Sequence, residues 1–261
     1  MLYLFLLYWD EKNPPVTPEV AIREHFKFAE EARARGAYVY SEAIGGTGTA
    51  TMVRVRDRKA MTTDGPYAEA KEVMGGFYIL DCKDLDEALG FATKISEMTA
   101  SPTEVRPVMH VPDWDYGSTS ASADGSRQRA RIAKGRGMMV YMLMINYDPS
   151  VSLEGLVLQP EYAKLEAELR ERGLFVSGAG LMPIEAGGSV RIRGGERLAT
   201  DGPFAETKEV LGGYYSVDCT EEEADAIAER IPVEKRSWVD IRPIALFHPN
   251  VDRIAAIAQL V

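Results

Sequence analysis

Residues 63–78 read TDGPYAEAKEVMGGFY, and residues 200–215 read TDGPFAETKEVLGGYY. A chain that carries one long sentence twice is a duplication, and whatever it folds into must seat two similar units. The spacing of 137 that carries Asp64 to Asp201 also carries Gly36 to Gly173, Val53 to Val190, Lys71 to Lys208 and Cys82 to Cys219. It slips by one at each end. Tyr3 matches Tyr141 and Asp10 matches Asp148 at 138, while Arg106-Pro107 matches Arg242-Pro243 at 136. Single-residue changes in two loops account for both slips. The repeats span residues 1–111 and 138–248. Residues 112–137 are rich in Gly, Ser and polar residues with no apolar period, which marks a linker, and residues 249–261 form a C-terminal tail.

The pattern within each repeat predicts the same order of elements. LYLFLLY reads as a buried strand. PEVAIREHFKFAEEARARG reads as an amphipathic helix, capped by Thr17, opened by Pro18 and closed by Gly36. A strand AYVYSEAI, a hairpin over TATMVRVRDRKAMTT, a strand GGFYILDC, a helix capped by Asp84 and a closing strand TEVRPVMHV complete the unit. The second repeat follows suit from VYMLMINY to WVDIRPIAL. Such a unit is α+β, with two helices on one face of a largely antiparallel sheet. Its other face needs cover, which a second copy supplies. Face-to-face pairing predicts a pseudo-two-fold barrel inside one chain, hence a monomer with an internal pseudo-dimer and room for further association.

Composition narrows the functions. A formal net charge of −10 repels phosphate backbones, so nucleic acid is not an expected partner. The apolar opening MLYLFLLYW is too short to span a bilayer and lacks a basic leader, so neither membrane nor export is expected. Cys82 and Cys219 sit at equivalent places without CxxC or His partners, and read as reduced core thiols of a cytoplasmic protein. No metal-ligand spacing, P-loop, nucleotide-binding glycine pattern or GxSxG elbow is present, so neither metal nor cofactor is expected.

The duplicated sentence also holds candidate chemistry. Asp-Gly-Pro is turn chemistry, but Glu69, Lys71 and Glu72 reappear as Glu206, Lys208 and Glu209, while RDRKAM has drifted to RGGERL nearby. Two readings stand: a charged set facing a pocket, or an ion pair pinning the loop to the sheet. The Gly pairs 75-76 and 212-213 suit a bulge or a close backbone approach. Tyr8, Trp9 and Tyr147 can line an apolar ligand cavity or serve as strand-end core.

DGPYAEAKE followed by GG, with RPVM at the end of the unit, resembles the DGPF-type branch of the YCII-related family, as does DGPFAETKE with its GG and RPI. The resemblance spans most of each repeat. It implies a ferredoxin-like unit that pairs into a dimeric α+β barrel, here fused in tandem. Some members of the wider family resemble hydrolytic or eliminating enzymes that use a His with a nearby Asp. That His lies on the first helix about three turns before its end, which fits His25, 11 residues before Gly36; the same count in the second repeat lands on Tyr162. The loop after the second strand, GGTGTA, carries no carboxylate.

These residues predict a cofactor-independent acid/base enzyme for a small, partly apolar organic molecule, working by elimination, hydrolysis, isomerisation or cyclisation. His25 would move the proton, Asp64 or Glu69 would orient it, and Lys71 would stabilise negative charge. Tyr8, Trp9, Tyr147, Tyr162, Asp201, Glu206 and Lys208 are the expected substrate-binding set, with one competent and one degenerate site. The alternative is a non-catalytic small-molecule binding or sensing protein.

Overall fold

A computed structural model describes residues 1–56, 59–64, 72–109, 139–148, 160–193, 195–202, 210–233 and 237–246. The first repeat contributes β1 (Leu2–Trp9), α1 (Pro18–Ala34), β2 (Tyr38–Ile44), β3 (Thr51–Arg56), β4 (Lys59–Asp64), β5 (Val73–Asp81), α2 (Leu85–Thr99) and β6 (Thr103–Pro107). The second contributes β7 (Met139–Tyr147), α3 (Pro160–Glu171), β8 (Phe175–Gly180), β9 (Gly188–Arg193), β10 (Glu196–Asp201), β11 (Val210–Cys219), α4 (Glu221–Ala228) and β12 (Ser237–Leu246).

Local chemistry sets the helix ends. The Thr17 hydroxyl accepts from the Val20 N–H with Pro18 in the first turn, and Asp84 accepts from Glu87 at 2.9 Å. Thr220 and Glu223 form a reciprocal capping box on α4. Gly36 and Gly173 adopt φ of 72° and 71° just past the first helix of each repeat, a left-handed turn that glycine enters without a Cβ clash.

The sheet is antiparallel throughout. Within the first repeat the strand order is β6-β1-β5-β2, and within the second β12-β7-β11-β8. The hairpins do not stay with their own repeats. β9–β10 adds to β6 through Thr103↔Val190, and β3–β4 adds to β12 through Val239↔Val53. The sequence pattern gives two strands and a turn but no partner; each hairpin finds the open edge of the other repeat. Val190 thereby enters the core beneath α1 and α2, and Val53 enters the core beneath α3 and α4.

The repeats meet at two further places. β2 pairs with β12 through Ile244↔Ile44, and β6 meets the end of β8 through the Val108↔Leu181 bridge, with Met182 N–H donating to Pro107 O at 3.0 Å. Alternation along the strands sends Tyr3, Phe5, Tyr78 and Leu80 towards the helices. Leu4, Leu6, Phe77 and Ile79 go instead into a second layer shared with Val140, Met142, Met144 and Tyr214. Residues of both repeats thus share one buried layer, the interior layer. Among the described residues, no helix is long and apolar enough to cross a membrane, and no group of three or more His, Cys, Asp or Glu could hold a metal ion.

Candidate functional site

His25 lies on the helix side of the sheet. Its Nδ1 is 2.8 Å from the Tyr78 hydroxyl, and that hydroxyl lies 3.3 Å from the main-chain oxygen of His25. One arrangement satisfies both contacts: a neutral imidazole protonated on Nδ1 donates to Tyr78, which donates to the carbonyl. Burial favours the neutral ring and pulls its pKa from 6.5 to about 4. The second repeat keeps one of these two contacts, from the sheet tyrosine to the helix main chain. Tyr162 donates to Pro232 O at 2.6 Å, and Tyr215, the counterpart of Tyr78, donates to Tyr162 O at 3.3 Å. Tyr78 and Tyr215 therefore join the first helix of each repeat to its sheet at His25 and Tyr162, on the face of β5 and β11 turned to the helices.

Asp64 ends β4 opposite Thr51, and Asp201 is exposed at the end of β10 opposite Gly188. Glu69, Lys71, Glu206 and Lys208 lie outside the described residues. Glu72, within the first copy of the repeated sentence, makes a two-pronged ion pair with Arg191 of the second repeat at 2.9 and 2.6 Å. At this residue, an ion pair fastening the loop to the sheet describes the contact.

The glycine pairs have two separate jobs. A Cβ on Gly75 would lie 2.9 Å from the Trp9 indole nitrogen, and one on Gly212 would lie 3.1 Å from the Tyr147 ring. On Gly76 and Gly213 it would meet the main-chain oxygens of Glu42 and Ala179 at 2.8 and 2.7 Å. The first glycine of each pair lies beneath an aromatic ring and the second beneath the neighbouring strand. The ladders β1–β5 and β7–β11 shift register there.

Beside these strand ends the interior becomes polar. Thr103–Pro107 alternates so that Glu104 and Arg106 face inward, both buried. Arg106 donates to Glu104 at 3.3 Å and to Leu211 O at 3.2 Å, and it also bonds Met182 O. Burial raises the Glu104 carboxyl, and Arg106 opposes that shift in part. Tyr8 and Tyr147 face the same two charges, and burial raises both phenols. Of the expected binding residues, Tyr8 and Tyr147 thus come together around a buried Glu-Arg pair, whereas Trp9 sits over Gly75 in the counterpart site. There Arg242 donates to Gly45 O and Met74 O, and Asp240 accepts from Asn146 at 2.8 Å. Glu104 and Tyr8 have become Asp240 and Asn146, so the two ends differ in chemistry while sharing a frame.

Glu104 and Arg106 were within reach of sequence reasoning. They stand two apart on a closing strand, they alternate with Val105, and Asp240 and Arg242 repeat the pattern. A charged pair on the inward phase of a buried strand is the signal.

A YCII-related domain model matches residues 1–114 and again residues 139–248. The chain is also 36% identical over 117 residues to an uncharacterized protein of Rhizobium meliloti (strain 1021), covering 41% of this chain and 92% of that one. That relative is about one repeat long, so its match fits a single unit of the duplication. Matched twice along most of its length, the chain belongs to the YCII-related domain family as a tandem duplication.

Proposed function

We propose that this protein is a cofactor-independent acid/base enzyme for a small, partly apolar organic molecule held between the two sheets. The observation that carries the reading is Glu104: a buried carboxyl with a raised pKa, fixed by Arg106 and flanked by Tyr8 and Tyr147. A carboxyl lifted above its ordinary range exchanges protons nearer neutral pH, as a general acid or base must. Elimination, hydrolysis, isomerisation and cyclisation all need such a group. The Asn146 and Asp240 end is the degenerate counterpart.

The frame proposed for this chemistry is a pair of ferredoxin-like units closed into an α+β barrel within one monomer, in the DGPF-type branch of the family. The equivalent strand orders, the β2–β12 pairing and the Val108–Leu181 bridge support the closure, and the twice-written DGP sentence supports the branch. Two buried free thiols suit a reducing, cytoplasmic setting.

The test is incubation of the protein and its Glu104→Gln variant with a small-molecule extract, followed by mass spectrometry. A compound consumed by the parent and spared by the variant supports catalysis. Equal consumption by both removes Glu104 from the chemistry. A second reading, binding without turnover, draws on the loop GGTGTA, which offers His25 no carboxylate, and on the contact of His25 with Tyr78 instead. Recovery of every compound unchanged, with saturable binding, supports that reading.

A further inference from the structure

The interior layer holds a second polar group that the Glu104 end does not use. In β2 the register slips between Tyr38 and Tyr40, so Val39 and Tyr40 both pack against the interior layer. Glu42 follows, buried in the same strand, and accepts from the Tyr40 hydroxyl at 2.7 Å. From the second repeat come Tyr214 and Ser177, both buried, with Ser177 beside the phenols of Tyr40 and Tyr214. The Ser177 and Tyr214 hydroxyls lie against each other without a well-formed hydrogen bond. Three rings run alongside: Phe77 is 5.8 Å from Tyr40 and 5.2 Å from Tyr214, each pair tilted.

The duplication supplies its own control. At the positions equivalent to Tyr40, Glu42 and Tyr214, the chain has Ser177, Ala179 and Phe77. The fold is therefore built with a small or apolar residue at each of these places. Burying a carboxylate and a phenol in an apolar layer is unfavourable, so Glu42 and Tyr214, whose counterparts Ala179 and Phe77 are apolar, point to a task other than folding.

The chemistry names the occupant. A primary ammonium brings three N–H donors and a positive charge. Here the carboxylate of Glu42 and the hydroxyl oxygens of Ser177 and Tyr214 are acceptors, and the faces of Tyr40, Phe77 and Tyr214 attract a cation. A chain of net charge −10 draws cations towards it. Tyr40 is half-buried, which leaves the cluster at a rim. Glu104, Leu6, Phe77 and Glu42 stand in one cross-strand row, so about 14 Å, three strand spacings, separates the two carboxylates along the sheet.

We propose that Glu42, Tyr40, Phe77 and Tyr214, with Ser177, form a recognition site for an organic ammonium group. The proposal rests on the reading that the interior takes a small molecule, but not on catalysis there.

The test uses the full chain and three probes, n-butylammonium, tetramethylammonium and butyrate, followed by NMR titration and thermal melting. Saturable binding of butylammonium is expected, with tetramethylammonium weaker and butyrate absent. Glu42→Gln should weaken butylammonium at least tenfold. Glu42→Ala, which installs the second repeat's own residue, should abolish binding and the accompanying rise in Tm while the protein stays folded. Absence of saturable butylammonium binding, equal binding by both variants, or a preference for butyrate would each overturn the assignment. Glu104→Gln should leave butylammonium binding intact, so loss of turnover in that variant and loss of binding at Glu42 are separate results.

Discussion

Arg106 of the first repeat donates to the main-chain oxygen of Leu211 in the second, and Arg242 of the second donates to the oxygen of Met74 in the first, its exact counterpart by position. Each guanidinium thus closes a bulged strand in the other repeat. Removing either leaves buried carbonyls unpaired, and removing Arg106 also strands the Glu104 carboxylate. Arg106→Ala should destabilise by about 3–5 kcal/mol. Arg106→Lys should recover only part of that, because one ammonium cannot reach Met182, Leu211 and Glu104 as the planar fork does. Urea unfolding checks both, and a loss below about 1 kcal/mol in Arg106→Ala would remove the clasp from the account.

His25 predicts a pH dependence whose sign is fixed. Its folded pKa of about 4 lies below the ordinary 6.5, so the unfolded chain binds more protons in between. Stability contributed by the neutral ring is fully present above about pH 6.5 and falls as pH drops towards 4, by up to about 3 kcal/mol. His25→Tyr, the residue of the second repeat, should flatten the stability profile over that window while leaving the fold intact. Unfolding curves at pH 4.5 and 7 for parent and variant measure the difference, and identical pH slopes would show that the ring is solvated.

Much of this fold is legible in the sequence because its controlling signals are local. Thr17, Asp84 and Gly36 carry their structural roles in their own side chains or backbone freedom, and alternation in LYLFLLY is enough to assign Tyr3 and Leu4 to opposite faces. The exchange of hairpins is not local. Nothing in TATMVRVRDRKAMTT distinguishes a partner in its own repeat from β12 of the other, because the choice depends on which edge is left open once both sheets exist. Sites divide in the same way. His25 stands out by residue type and spacing, yet the face it occupies follows from the phase of β5. Glu42 and Tyr40 are hidden by a bulge, which breaks the period-two reading and turns adjacent residues inward. Comparing the repeats position by position exposes them, since Ala179 and Ser177 stand in their places.

The paired glycines predict unequal outcomes at neighbouring positions. Gly76 has the Glu42 main-chain oxygen 2.8 Å from any added Cβ, and a strand in mid-sheet cannot retreat cheaply. Gly75 instead has the side chain of Trp9 at 2.9 Å, which can tilt away. Gly76→Ala should therefore destabilise by about 2 kcal/mol or more and Gly75→Ala by less, with Gly36→Ala, strained only by its φ of 72°, near 1 kcal/mol. Thermal melts of the three single variants order them, and a Gly75 penalty larger than that of Gly76 would contradict the assigned contacts.

The last prediction concerns the first repeat on its own. In the whole chain Leu4, Leu6, Ile44, Phe77 and Ile79 are buried in a layer completed by Val140, Met142, Met144 and Tyr214, and the core beneath α1 and α2 is completed by Val190. A fragment of residues 1–112 loses both. Exposing five large apolar side chains forfeits on the order of 10 kcal/mol of burial, comparable to the entire stability of a small domain. Its β3–β4 hairpin, deprived of β12, also presents an unpaired edge. Association restores all three losses, because a second fragment offers an apolar sheet face, a hairpin for β6 and an edge for β3. Sedimentation should therefore find the fragment as a dimer or larger, with 139–248 added in trans drawing it into a one-to-one complex. A well-folded monomer from the fragment would mean that its inner face needs no partner, and the barrel proposed within the chain would lose its driving force.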